Sequence, residues 1–517
     1  MGPRSFFASF LALACVGFSL VVSGPVASAA GGKECRPSVG GIDLQTTTIP
    51  ELQKALASGK TTSRELVQAY LTRIDAYNTH VNAIRALNPN ALKIAAKLDA
   101  ERKAGKSRGP LHGIPVLLKD NINTLDMPTT AGSIALEGSI PKDEATIVTK
   151  LKAAGAIILG KTNLSEFANW VDLSMPNGYS SLGGQVRNAY TFGDPSGSSS
   201  GSGVAGSMAF ATGTVGTETS GSILSPSSAN SLVGIKPTTG LLSRFGIIPL
   251  SPSFDTPGPM TRNVTDAAIM LGAMAGVDEK DARTAESGDA PKDYTKFLDA
   301  NGLKGARIGY NPDDAGGSQA ALFQAALDVL EKQGAVLVQT DKLSNSSAVG
   351  LSELGFIPNE FKGSLNQYLA DQTPDTFRVR TLSDIVAYNE EHPDKVKYGQ
   401  NLLIASDSMP GVYTGIEAQG TVQSSRAAIN VALTADDLDA IVAPGPNYAN
   451  VSAAAGYPTV IVPAGYVGEK SPFAVSFLAE GFSEPRLISY AYDYEQATKL
   501  RVPPTEVNAL LVPEGCG

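Results

Sequence analysis

Gly197-Ser198-Ser199-Ser200-Gly201-Ser202, followed by Gly216-Thr217-Glu218-Thr219-Ser220-Gly221-Ser222-Ile223, is the stretch on which the reading of this chain turns. Across residues 196–231 serine and glycine dominate, a composition usual for flexible linkers. Val204, Ala205, Met208 and Ala209 nevertheless keep helical spacing, which predicts compact, buried backbone passing close to a ligand. Three generic readings compete. Gly197 to Gly201 match a G-x-S-x-G elbow with Ser199 as nucleophile, a mechanism that needs a downstream histidine. Of three histidines, His80, His112 and His392, only the last follows, in the charged run Glu390-Glu391-His392-Pro393. Gly201-Ser202-Gly203-Val204-Ala205-Gly206 match a dinucleotide fingerprint, but residues 192–200 before it are turn-like rather than a strand. The third reading is a glycine-rich packing loop without chemistry.

Outward from this loop, the pattern alternates helix and strand. Thr62 and Glu65 form a capping box ahead of Leu66, Tyr70 and Ile74, and residues 90–103 are again helical. Residues 114–118 make a short apolar strand ending at Lys119-Asp120-Asn121. Residues 146–154 read as helix and 156–159 as a buried strand, with further strands at 307–310, 335–340, 438–443, 459–462 and 475–478. This predicts a layered α/β fold, a large mixed β-sheet core covered on both faces by helices. A single domain over residues 30–517 is expected, with its core at about 50–300 and 435–500 and a helical insertion at about 370–425.

The 517 residues are 42% hydrophobic and carry a net charge of −9, enough to bury a large core and without a basic cluster that would neutralise phosphates. No nucleic-acid partner is expected. Residues 1–29 read as a signal peptide: Arg4, an apolar run over residues 6–22, then Ala27-Ser28-Ala29 as a cleavage site. The run is short for an uncleaved anchor, so secretion without stable membrane insertion is expected. Cleavage removes Cys15 and leaves Cys35 and Cys516, a candidate disulfide between the ends of a secreted chain, extracellular or, in a Gram-negative host, periplasmic. Sequons begin at Asn163, Asn263, Asn345 and Asn450, with Asn163 in expected core.

The ordered set of motifs is more specific than any one of them. Gly109-Pro110-Leu111-His112-Gly113-Ile114-Pro115-Val116 leading to Lys119, the serine loop, and Gly234-Ile235-Lys236-Pro237-Thr238 closely resemble the core of the amidase signature family. Gly160-Lys161-Thr162-Asn163-Leu164-Ser165-Glu166 and the run from Ser253 to Pro259 extend the likeness across residues 50–500. Within the family, the pattern from Asn121 through Ser133 and the ending at Tyr494-Glu495 are most similar to bacterial peptide amidases, which remove the C-terminal amide of peptides. The resemblance implies a catalytic set of Lys119, Ser198 and Ser222. Ser222 would be the nucleophile, Ser198, with a cis peptide bond, the proton relay, and Lys119 the base. It also implies an oxyanion hole from the backbone N–H groups of Thr219, Ser220, Gly221 and Ser222, where Ser220 replaces the more usual glycine or aspartate. No metal or cofactor is expected. A serine hydroxyl needs a base, and a lysine serves only when burial keeps it neutral, which the apolar strand before Lys119 would achieve.

The expected partner is a small-molecule or peptide amide; other aryl, fatty or secondary-metabolite amides are the alternative within the class. Alternatives of other classes are an amidotransferase subunit, opposed by the signal sequence, and an inactive binding homologue. Residues 191–196 and Pro472-Phe473-Ala474 are expected to line the pocket, Trp170 to be a pocket wall or a core aromatic, and Asp255 and Arg262 to be structural.

Overall fold

The computed structural model describes residues 38–343 and 355–511; the signal segment, Cys15, Cys35, Asn345 and Cys516 lie outside them. Its frame is an 11-stranded sheet, with strands β1 (Ile84–Leu87), β2 (Pro115–Lys119), β3 (Ile157–Thr162), β4 (Gly213–Glu218), β5 (Val233–Lys236), β6 (Thr256–Thr261), β7 (Arg307–Tyr310), β8 (Val336–Gln339), β9 (Ala440–Pro444), β10 (Thr459–Val467) and β11 (Ser471–Leu478). Their spatial order is β8-β7-β9-β11-β10-β5-β6-β4-β2-β3-β1. The sheet is mixed: β8, β7 and β9 are mutually parallel, as are β4, β2 and β3, and the strands between are antiparallel.

Every residue of β2, β3, β4, β5, β6 and β9 is buried. Because successive side chains alternate faces, this requires cover on both faces, and helices provide it. The expected α/β layering is therefore the fold observed. The helix Ser63–Val81 opens with the reciprocal Thr62–Glu65 capping box, and the helix Ala91–Lys103 follows. Strand β3 runs to Thr162 instead of stopping at residue 159. There Gly160 lets the Ala86 carbonyl approach to where a Cβ would sit only 2.4 Å away, so Lys161 and Thr162 continue alongside Leu118 and Lys119.

The helical cover is wider than residues 370–425, comprising Ile357–Gln372, Leu382–Glu391, Asn401–Asp407 and Ile416–Ala435. The first three pack Phe361, Leu365, Leu382 and Leu403 against Phe167 and Trp170 as a second apolar cluster beside the main core. Among the described residues no helix is long and apolar enough to cross a membrane.

Candidate active site

Parallel pairing of β2 with β4, Leu118 opposite Val215, brings the carboxyl ends of both strands to one edge. Such ends are where open α/β sheets bind ligands, because the chain there turns outward into loops. Lys119 ends β2, and the loop after β4 carries Thr219 to Ser222. The third segment, residues 197–199, precedes the helix Ser200–Ser207, which packs on β4. Gly201 lets the start of this helix close on the segment after β3: a Cβ there would lie 2.3 Å from the Asn163 carbonyl oxygen.

Lys119 Nζ lies 2.8 Å from Ser198 Oγ, 2.9 Å from Thr217 Oγ1 and 3.3 Å from the Thr217 carbonyl oxygen. The Gly197–Ser198 peptide bond is cis. Lys119 is fully buried, and desolvation lowers its pKa to about 7 against the opposing charges of Asp255 and Glu218. Near neutral pH the amine is thus substantially uncharged. Its two N–H groups then have the two Thr217 oxygens as acceptors, and its lone pair faces the Ser198 hydroxyl. Asn121 Nδ2 donates to Thr217 Oγ1 at 3.0 Å and holds that oxygen in place.

Ser222 is 8% exposed, and its carbonyl accepts from Ser199 N–H at 3.3 Å, which fixes it beside residue 198. Its own hydroxyl makes no hydrogen bond among the described residues. Of the four expected oxyanion donors, Gly221 is already taken, since its N–H donates to Glu218 Oε1 at 2.9 Å. Glu218 Oε2 accepts from Ile223 and Leu224 as well, at 2.7 and 3.0 Å. This buried carboxylate, its pKa raised by desolvation and opposed by Lys236, clasps the loop from behind. The N–H groups of Thr219, Ser220 and Ser222 make no hydrogen bond among the described residues. Ser220 uses its hydroxyl to donate to Asn450 Oδ1 at 2.7 Å, tying the loop to the helix Ala449–Ala455.

Asp255 has the structural role expected of it. It accepts from Leu250 and Ser251 N–H at 2.8 and 3.0 Å and from the Thr219 hydroxyl. Arg262 likewise serves backbone, donating to the Ala211 carbonyl at 2.8 Å. Ser199 is fully buried, its hydroxyl donating to the Thr217 carbonyl at 3.0 Å and accepting from Thr217 N–H at 3.2 Å, so it is not presented as an elbow nucleophile. Residues 201–206 lie within the helix Ser200–Ser207 and not in a strand-to-helix phosphate loop. His392 bonds the Tyr388 carbonyl and stacks on that ring, leaving no histidine at the site.

A cavity of about 290 Å³ opens against Asn121, Thr217 and Thr219, with Phe167, Ile247 and Leu250 among its apolar walls. Neither segment expected to line it does so. Phe473 is buried in the main core, and Phe192, Gly193 and Asp194 border a separate groove. Trp170 is a core aromatic under the helical cover, its Nε1 donating to Ser406 Oγ at 3.0 Å. The residues that sequence reasoning passed over are Thr217 and Glu218. Their signal was weak, because Gly213 and Gly216 disguise the buried strand at whose end the threonine and the acid fall.

The Amidase family model matches residues 65–449. A protein described as a probable amidase of Arabidopsis thaliana is 39% identical over 478 residues, covering 89% of this chain and 92% of that one. A glutamyl-tRNA(Gln) amidotransferase subunit from Acinetobacter baylyi is 32% identical, covering 88% and 97%. Among solved structures, native peptide amidase from Stenotrophomonas maltophilia superposes with a TM-score of 0.82 at 41% identity, covering 89% of this chain and 98% of that one.

Proposed function

This chain belongs to the amidase (amidase signature) family, and from that premise we propose that it hydrolyses linear carboxamides through an acyl-enzyme on Ser222. The observation that carries the reading is the buried Lys119 amine, its pKa near 7, at 2.8 Å from Ser198 Oγ. As Ser222 Oγ attacks the amide carbon, its proton passes to Ser198 Oγ while the Ser198 proton passes to the Lys119 lone pair. Contacts of this kind are often long without substrate and tighten in the Michaelis complex. The developing oxyanion is met by the free N–H groups of Thr219, Ser220 and Ser222, with Glu218 holding the loop rigid behind them. Ser198 then protonates the leaving nitrogen, ammonia departs, and water attacks the acyl-enzyme by the reverse relay.

A peptide carboxamide is the proposed substrate, supported by the 41% identity to a peptide amidase and by the apolar cavity beside Thr219. Residues 1–29 are proposed to direct secretion, which N-terminal sequencing of the exported protein would check. The catalytic reading is tested by ammonia release from dipeptide amides, glutamine and aryl amides, with Ser222→Ala and Lys119→Ala alongside. Each variant should lose at least about 1,000-fold in kcat/KM. A fluorophosphonate should label Ser222. Wild-type turnover by the Ser222 variant, or labelling of Ser199, would overturn the assignment.

A further inference from the structure

Pro252, Gln367 and Tyr413 line the cavity beside Thr217 and Thr219 and also line a second, wider cavity of about 790 Å³. Its other walls come from residues 411–415, from the helix Ile416–Ala435, and from Arg283 on the short 3-10 helix Ala282–Ser287. Two guanidinium groups, Arg283 and Arg426, line it, and among the described residues no acidic side chain does, in a chain whose net charge is −9.

Neither guanidinium has all of its N–H groups taken among the described residues. Arg426 Nε donates to the Ala455 carbonyl at 2.9 Å and its Cζ lies 5.6 Å from the Tyr457 ring centre, while its Nη atoms make no hydrogen bond among the described residues. Arg283 pairs with the half-exposed Glu286 at 3.7 Å, and its buried Nε has no hydrogen-bond partner among the described residues. Guanidinium N–H groups left free in a concave wall suit a carboxylate, since the planar fork matches its two oxygens.

We infer that the outer cavity is a carboxylate-binding subsite, which holds an acidic side chain of a peptide amide upstream of its terminal carboxamide. The inference rests on the peptide-amide reading above. A terminal carboxamide has no chain beyond its nitrogen, so the rest of the peptide must extend away from Ser222 on the acyl side, and the second cavity, which shares Pro252, Gln367 and Tyr413 with the first, lies next to it on that surface. Gln367, Gln419 and Gln423 offer amide partners for the peptide backbone on the way.

The test uses N-acetylated tetrapeptide amides in which glutamate or glutamine occupies, in turn, the second, third or fourth residue from the amide. Wild-type enzyme should prefer glutamate over glutamine by about tenfold in kcat/KM at one of these positions, chiefly through KM, and the preference should shrink in high salt. Arg426→Gln and Arg283→Gln should each bring that ratio towards one, and Arg426→Glu should turn it in favour of a lysine peptide. The ratio of two substrates on one preparation does not depend on the folded fraction. A wild-type ratio of one or below at every position, or a ratio retained in both glutamine variants, would overturn the subsite. Hydrolysis of none of the peptides would instead overturn the peptide-amide reading itself.

Discussion

Replacing Thr217 by valine should move the acid limb of the pH–rate profile downward by about one unit. The perturbation keeps the shape of the side chain and removes Oγ1, the acceptor 2.9 Å from Lys119 Nζ and 3.0 Å from Asn121 Nδ2. An ammonium at Lys119 has three N–H groups and three acceptors in reach: Ser198 Oγ, Thr217 Oγ1 and the Thr217 carbonyl. A neutral amine needs only two acceptors and offers its lone pair to Ser198. Losing Oγ1 therefore leaves a charged donor unpaired in a dry site, where such a hydrogen bond contributes about 1.5–3 kcal/mol against about 0.5–1.5 for a neutral donor. The difference, about 1–1.5 kcal/mol, corresponds to about one pKa unit. The base acts when neutral, so wild-type kcat/KM should fall about tenfold per unit as pH drops below about 7, and the variant should hold its plateau to about pH 6. The plateau itself should be lower, because a weaker base accepts the Ser198 proton less readily. The measurement is kcat/KM for ammonia release from one dipeptide amide across pH 5–9 at constant ionic strength, with Tm recorded at each pH. A limb that stays at 7 or rises in a folded variant would refute the assignment of Lys119 as the titrating base.

Glu218→Gln should lower kcat by about 10- to 100-fold with a smaller change in KM, because the clasp on Gly221, Ile223 and Leu224 loosens while the cavity walls stay; steady-state kinetics separates the two. Gly201→Ala should destabilise by at least about 3 kcal/mol in urea unfolding, since its Cβ would sit 2.3 Å from one backbone oxygen and 2.6 Å from another. Glu166 is buried, and desolvation raises its pKa to about 7, so the folded state holds the proton more tightly than the unfolded chain does. Its contribution to stability is fully present below the unfolded pKa of 4.5 and is lost as pH rises to about 7, roughly 3 kcal/mol in all. Glu166→Gln should flatten that slope, and a Tm series over pH 4–8 on both proteins should show it.

The residues that declare themselves in sequence are those whose local pattern and structural role coincide. Lys119 follows an apolar run that does become a buried strand, and the Thr62–Glu65 capping box does start a helix. The strands around the site itself are harder to see. Thr256-Pro257-Gly258-Pro259-Met260-Thr261 forms β6 in the middle of the sheet, although proline ordinarily argues against a central strand. Its pairing with β5 is confined to Met260 and Thr261, so the prolines fall where that ladder has not yet begun. Similarly, Gly213 and Gly216 make β4 look like loop. At Gly216 a Cβ would lie 2.8 Å from both Met260 Sδ and Ser199 Oγ, so the glycine is there to let three segments converge. The capture of Gly221 by Glu218 is invisible to sequence for a different reason: only the fold turns that carboxylate back under its own loop.

Tyr413 stands between the two cavities, on a segment that belongs to the helical cover and not to the sheet. Lys119, Thr217 and the loop after β4 sit within a close-packed frame, where a displacement of an ångström would be costly, whereas most of the second cavity's wall is borne by residues 357–435. The surroundings of Lys119 and the wall of the outer cavity are in this way carried on separable parts. A lineage could exchange the cover, or only the partition at Tyr413, and acquire a new diet of amides while inheriting the reaction unchanged.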